Sequence, residues 1–304
     1  MAFLLLILAV VGLFRAFSKG SNLFVPGIWK VFVLAFPLLW ITAGIEPSQW
    51  DEFSHWLPAS RYLFEFHGFP NSSQPFAGSE MLPGYPYGWP FIIYLGSLIA
   101  GQFLSNVSGL LNLLLVLTFS MFALRTGLDI SGVKKKDYIS WPFAAVVILS
   151  GTIFNPTFVQ KIVMTAYSDT STSVLTGFSL LLGYYFLESL AERRKDTAIN
   201  AAWQLSLVLS LLINLRQTNI VLLVILVVSF SILAFRDQQI NLRLYIKYLA
   251  LLLLPATIVY IVWKYYVFLE LGNIVNAELV FNPIANWNVD EIPRILSSMI
   301  YVAF

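Results

Sequence analysis

Cysteine is absent from the 304 residues, which excludes disulfides, thiolate metal sites and thiol nucleophiles in one step. Charge is scarce as well. Only 11% of the residues are Asp, Glu, Lys or Arg, where a soluble domain carries about 25%. No basic stripe suited to nucleic acid is present, and the net charge of +2 is divided among loops. Tandem repeats and low-complexity linkers are missing too. What fills the chain is apolar: 58% of it is hydrophobic and the mean hydropathy is +0.77.

Apolar runs of about 20 residues read as membrane-spanning helices, because each must cross a hydrocarbon core of roughly 30 Å. The expected fold is therefore all-α, a polytopic transmembrane bundle of about eight or nine spans forming one domain over residues 1–304. The runs lie at 2–14, 24–45, 107–124, 140–155, 171–188, 201–215, 218–235 and 246–268. Residues 88–104 read either as a further span or as a helix lying along the membrane. The N-terminal run lacks a basic leader and a small-residue cleavage site, so it reads as a retained helix. The chain stops at an amphipathic "VDEIPRILSSMIYVAF" without a polar tail, and the expectation is that the natural protein continues or that this is a reduced version of a longer architecture.

Lys and Arg accumulate on cytoplasmic loops. Four connections are basic here: Arg15 to Lys30, Arg125 to Lys136, Glu188 to Lys195 and Arg236 to Lys247. All four share one side if 88–104 does not cross alone. The loop 46–87, the Asp169 region and the break at Arg216–Asn219 then share the other.

Polar residues concentrate in three islands on that second side. The first is Gln49 to Met81, "QWDEFSHWLPASRYLFEFHGFPNSSQPFAGSEM", which holds both histidines. Trp50, Phe53, Trp56, Leu57 and Phe64 recur at helical spacing, which predicts an amphipathic helix at the membrane interface. Asp51 and Glu52 stand four and three positions before His55, spacings at which helical side chains meet. They serve equally well as the wet face of an interfacial helix, or with His55 and His67 as ligands for a divalent ion. "LPGYPYGWP", Leu82 to Pro90, predicts a rigid turn that folds the loop back.

The second island runs from Lys161 to Phe178 around Asp169, Thr170, Ser171, Thr172 and Ser173. Asp169 opens a span, where an acid is favoured by the helix dipole and where a plain N-cap is the alternative; Lys161 is near enough in sequence to pair with it. The third is "NLRQTNI", Asn214 to Ile220, wedged between two apolar runs. Turns of this kind are usually rich in Gly or Pro, yet this one carries Arg216, Gln217, Thr218 and Asn219. Ionisable residues at membrane depth are costly and are functional candidates, and arginine binds phosphate through a bidentate fork. Two carboxylate regions and an arginine on one boundary suit a lipid-linked phosphate substrate.

Taken in order, "WDEFSHW", "LPGYPYGWP", "TAYSDTSTS" and "RQTNI" resemble the acidic loop, the Pro-rich stretch, the second acidic site and the lipid-phosphate-facing turn of the GT-C superfamily of membrane glycosyltransferases. The last two are similar to segments of the dolichyl-phosphate-glucose α-1,2-glucosyltransferases. The likeness covers residues 45–235. It implies an inverting hexosyltransferase that uses a polyprenyl-phosphate sugar donor and a glycan, lipid or protein acceptor. It also implies a place in the bacterial plasma membrane, or in the ER membrane of a eukaryote, as part of cell-envelope building or glycosylation. By this resemblance Asp51 is the catalytic base with Glu52 as its alternate. His55, Arg61, Asp169, Arg216, Gln217 and Asn219 bind donor or acceptor. A divalent cation, Mg or Mn, held by Asp51, Glu52 and Asp169 is an option that the resemblance leaves open. Two other classes remain: a lipid or solute transporter with Asp169 and Arg216 on its pathway, and a non-catalytic assembly subunit whose loop helix binds a partner.

Overall fold

The computed structural model describes residues 27–74, 84–133, 139–153 and 164–272. The first apolar run, Lys161, the C-terminal amphipathic stretch and the first two residues of "LPGYPYGWP" lie outside them. Among the described residues all regular structure is helical. In chain order the helices are α1 (Ile28–Ala43), a π-helical turn (Glu52–Trp56), α2 (Leu57–Phe66), α3 (Gly88–Ala100), α4 (Val107–Ile130), α5 (Trp141–Ser150), α6 (Asp169–Ala191), α7 (Lys195–Leu215), α8 (Asn219–Arg236) and α9 (Leu242–Leu271).

Five of these, α4 and α6 to α9, are long and apolar enough to cross a membrane. That is fewer than the expected eight or nine. At 1.5 Å per residue, the 16 residues of α1 reach about 24 Å and the 10 of α5 about 15 Å, short of the hydrocarbon core. An apolar run in sequence sets an upper bound on a helix, and the chain ends these two early. α1 begins only after Gly27, whose φ of 92° belongs to the left-handed region.

α7 is the central post. It packs against α6 and α9 most extensively and touches α3 and α8 as well. Its buried side includes Ala198, Ala201, Ala202, Ser206 and Ser210, small residues that let neighbouring membrane helices approach closely. The largest apolar core gathers α6, α7, α8 and α9 and takes in Trp56 and Trp89 from the loop side. A second core joins α1, α4 and α5. A third seats α2 and Tyr87 against Trp263, Val267 and Leu271 near the end of α9.

The bundle has two distinct ends. Asp169 at the start of α6 meets Arg216 just after α7, while at the other turn of this pair the Arg194 amide donates to the carbonyl of Ser189. Tyr185 donates to Asp129 near the end of α4 at 2.7 Å, and Lys30 donates to the carbonyl of Ile139. Glu188, Arg236 and Asp237 line one cavity. The described parts of the four basic connections therefore fall at one end, as charge placement requires.

α3 does not cross. Its 13 residues span about 20 Å. Trp89, at its start, donates to the carbonyl of Ala166, and Gly96 abuts Val107, the first residue of α4. Gly109 in turn sits against the backbone of Met164. Both ends of α3 thus stay at the Asp169–Arg216 end, the second of the two readings offered for 88–104.

Candidate functional site

The site end is built around residues 164–168, an irregular strip leading into α6. Three side chains pin it. Asn112, buried on α4, donates to the carbonyls of Thr165 and Tyr167 at 3.2 and 2.9 Å. The indole of Trp89 donates to the Ala166 carbonyl at 2.7 Å. The Glu52 carboxylate accepts the Ala166 amide at 2.7 Å and the amides of Ser48 and Gln49 at 2.8 Å each. Satisfying these backbone groups inside the protein is what permits irregular chain at this depth.

Glu52 is only 2% exposed, and its two oxygens are taken up by three amides. It ties the loop to the α6 entrance. Asp51, its neighbour, is exposed, and its own amide donates to the Tyr167 hydroxyl at 3.2 Å. Of the acidic pair, Asp51 is the one whose carboxylate faces solvent. Burial holds the Tyr167 phenol above its ordinary range, against the hydrogen bond from the Asp51 amide, and the charges of Asp51, Glu52 and Asp169 push the same way as burial.

The stripe expected along 50–64 divides in two. Trp50 and Phe53 are 73% and 58% exposed, whereas Trp56 is 1% exposed and joins the main core with Leu57. The cause is the π-helical turn Glu52–Trp56. One extra residue in the turn rotates the side chains off the 3.6-residue period and carries Glu52, His55 and Trp56 inward. Such turns are rare and recur at functional sites.

The same rotation overturns the expected carboxylate–imidazole pairing. Among the described residues neither ring nitrogen of His55 has a hydrogen-bond partner, so neither Asp51 nor Glu52 bonds it. The ring is 9% exposed and is held edge-on by Trp56 and Tyr85, with centroids at 4.5 and 4.9 Å. Burial first, and the Arg216 charge second, lower its pKa to about 4. His55 is a neutral imidazole at physiological pH.

Arg216 follows the last residue of α7 in extended conformation. Its guanidinium donates to Asp169 at 2.5 Å and lies over the Trp56 ring, 5.6 Å from the centroid, within reach of a cation–π attraction. Both members of the pair are partly exposed. The Ser168 side chain occupies the cap position of α6 without a cap hydrogen bond, and Asp169, in the first turn, is an arginine partner as well as an end-of-helix acid.

The other site residues from the sequence divide differently. Gln217 donates to the Gly84 carbonyl at 2.8 Å and accepts from Lys264 at 2.9 Å, and the indole of Trp263 donates to the same carbonyl at 3.0 Å. Gln217 thus holds the returning loop against α9. Asn219 donates to the Leu212 carbonyl at 2.8 Å and to the Thr172 hydroxyl at 3.2 Å, which satisfies a carbonyl at the end of α7 and links α8 to α6. The amide nitrogen of Asn219 thus has two protein acceptors and that of Gln217 has one. Arg61 lies over Phe103 at 5.0 Å, in the α3–α4 connection, apart from the Asp169–Arg216 pair. His67 ends α2 and contacts the Tyr94 hydroxyl at 3.4 Å. Among the described residues no three His, Cys, Asp or Glu side chains form a group that could hold a metal ion. Asp51, Glu52 and Asp169 are therefore not assembled as a ligand set, because both oxygens of Glu52 already serve backbone amides.

Sequence reasoning passed over Tyr167, Tyr85, Asn112 and Lys264. Lys264 had a legible signal: it is a lone cation within the apolar "YIVWKYYVF", and such residues mark functional positions. Tyr167 stands inside the quoted "TAYSDTSTS" without being singled out there, and Asn112 carries no mark, since its role arises only from what the fold brings beside it.

No protein-family model matches the chain, and no curated protein or solved structure matches it either.

Proposed function

We propose that this membrane protein is a glycosyltransferase that moves a sugar from a polyprenyl-phosphate-linked donor to a hydroxyl acceptor. The observation that carries the reading is the Asp169–Arg216 pair, partly exposed and stacked on Trp56, at the same end of the bundle as the solvent-facing Asp51. Arginine presents five N–H donors and is never deprotonated. With one arm fixed by Asp169, the remaining donors of Arg216 are oriented for phosphate oxygens. The lipid tail of the donor runs along the membrane-spanning helices.

In the proposed step, Asp51 takes the proton of the acceptor hydroxyl as general base. The acceptor oxygen forms a bond to the anomeric carbon while the bond from that carbon to the phosphate oxygen breaks. The bonding electrons leave with the polyprenyl phosphate, whose added negative charge Arg216 stabilises. Attack opposite the leaving group inverts the anomeric centre. Glu52 takes no chemical part and holds Asp51 in place.

Native mass spectrometry of the purified protein with a panel of polyprenyl-phosphate sugars tests the donor assignment, wild type against Arg216→Ala. Selective retention of one donor that the substitution abolishes is the expected result. Failure of folded wild-type protein to retain any member removes the glycosyltransferase reading and favours transport or assembly.

A further inference from the structure

One cavity lies far from this site. A cavity of about 550 Å³ opens between α6 and α8 at the opposite, basic end, within the range of about 300–1,000 Å³ typical of small-ligand sites. Its depth is apolar, with Leu187, Phe230 and Leu233 on the walls. It sits where α6 and α8 part company. Higher up, Gly183 lets Phe230 approach so closely that an added Cβ would meet the ring at 2.2 Å. Both walls belong to candidate spans, and α8 is the least buried of the five, so the groove faces lipid.

Its mouth is polar and specific in charge. Glu188, Arg236 and Asp237 all line it. Glu188 accepts from the Tyr184 hydroxyl at 2.7 Å and has only a long, 3.5 Å, contact with Arg194, which pairs more closely with Glu192. One Asp237 oxygen accepts the Gln239 amide. The ion pairs of the described residues leave Arg236 out. The mouth thus offers one arginine for a phosphate, and two carboxylates with remaining acceptor capacity on the same cavity.

We infer that this groove is a lipid site for a phosphatidylethanolamine-type headgroup, its phosphate on Arg236 and its primary ammonium between Glu188 and Asp237. The chemistry selects among membrane lipids. A primary ammonium has three N–H donors for carboxylate oxygens. A choline headgroup has none. An anionic glycerol headgroup brings no cation, and a mouth lined by two carboxylates and one arginine repels it. The acyl chain fills the wall between α6 and α8. This site is independent of the glycosyltransferase reading, which concerns the other end of the bundle.

The test is lipid retention. Protein is reconstituted in nanodiscs containing equal parts of phosphatidylethanolamine, phosphatidylglycerol and phosphatidylcholine with identical acyl chains, then released for native mass spectrometry. Retention of phosphatidylethanolamine about tenfold above each competitor, equivalent to about 1.4 kcal/mol, is expected. Arg236→Gln and Glu188→Gln each bring the three lipids to near parity, and Leu233→Trp, which fills the groove, removes the retained lipid. Equal retention of the three lipids by wild type, or a preference unchanged in Arg236→Gln, overturns the proposal. Displacement of the bound lipid by added polyprenyl phosphate also overturns it, by assigning the groove to a donor tail.

Discussion

Glu52 accepts the backbone amide of Ala166, 114 positions further along the chain, at 2.7 Å. This one bond joins the loop after α1 to the strip that launches α6, and with it sets Asp51 beside Tyr167 and Trp56 beneath Arg216. Much of the candidate site depends on it.

Replacing Glu52 is therefore a stability experiment. Glu52→Ala leaves the buried Ala166 amide without its acceptor and is expected to cost about 1–3 kcal/mol, the penalty for one buried group left unpaired, while the part-buried amides of Ser48 and Gln49 can turn to water. Asp51→Asn, on an exposed side chain, stays within about 0.5 kcal/mol of wild type while abolishing sugar transfer. Thermal unfolding and a transfer assay on both variants check this. Equal loss of stability in the two would refute the division of labour within the pair.

His55 makes stability depend on pH. Its ring titrates near 6.5 when unfolded and at about 4 in the fold, so the unfolded chain binds a proton that the folded ring refuses. Stability is full above pH 6.5 and declines as pH falls toward 4. At 1.36 kcal/mol per unit the decline is about 3 kcal/mol. Unfolding midpoints measured at steps between pH 7 and 4 give the curve. His55→Phe, which keeps the ring and removes both unpaired nitrogens, is expected to flatten it, and an unchanged slope in that variant would show that other groups cause the decline.

The Asp169–Arg216 pair is expected to contribute little to stability and, on the proposed function, much to donor binding. Both partners are partly exposed, and pairs of that kind are worth about 0–1 kcal/mol. Arg216→Lys keeps the charge but loses the planar fork, so it is expected to unfold within about 1 kcal/mol of wild type while binding the donor at least about tenfold more weakly. Titration of the polyprenyl-phosphate sugar against both proteins decides. Wild-type affinity in Arg216→Lys would remove the bidentate role.

Gly88 is where the returning loop meets α7. A Cβ there would stand 2.6 Å from both the side-chain nitrogen and the backbone oxygen of Asn214, and the backbone oxygen has no room to retreat. Gly88→Ala is expected to cost about 1–3 kcal/mol, the usual penalty for overpacking. Gly101→Ala is the contrast, because nothing lies within 4 Å of its Cβ; its cost is limited to the strain of a φ of 70°. Paired melting curves separate the two causes.

The two-ended arrangement is open to chemical labelling, since the chain contains no cysteine. Trp50→Cys and Gln239→Cys place single thiols on exposed positions at opposite ends. An impermeant maleimide added to sealed, oriented vesicles is expected to label one and spare the other. Labelling of both from the same side would refute the arrangement.

The sequence by itself determined the membrane class, because span length and the cost of charge in hydrocarbon are properties of local composition. It determined the two ends as well, since charge placement depends on which connections are basic and not on how helices pack. It also marked the polar islands around Asp51, Asp169 and Arg216. The tertiary structure alone decided which acid of the pair is free, that His55 is buried without a hydrogen-bond partner among the described residues, and that Gln217 and Asn219 serve the backbone. An i, i+4 spacing places two side chains on one face only while the turn holds 3.6 residues. Burial of Trp56 and the long-range bond of Glu52 favour a π-helical turn in its place, and those partners, Trp89 and Ala166 among them, come from sequence far outside any local window.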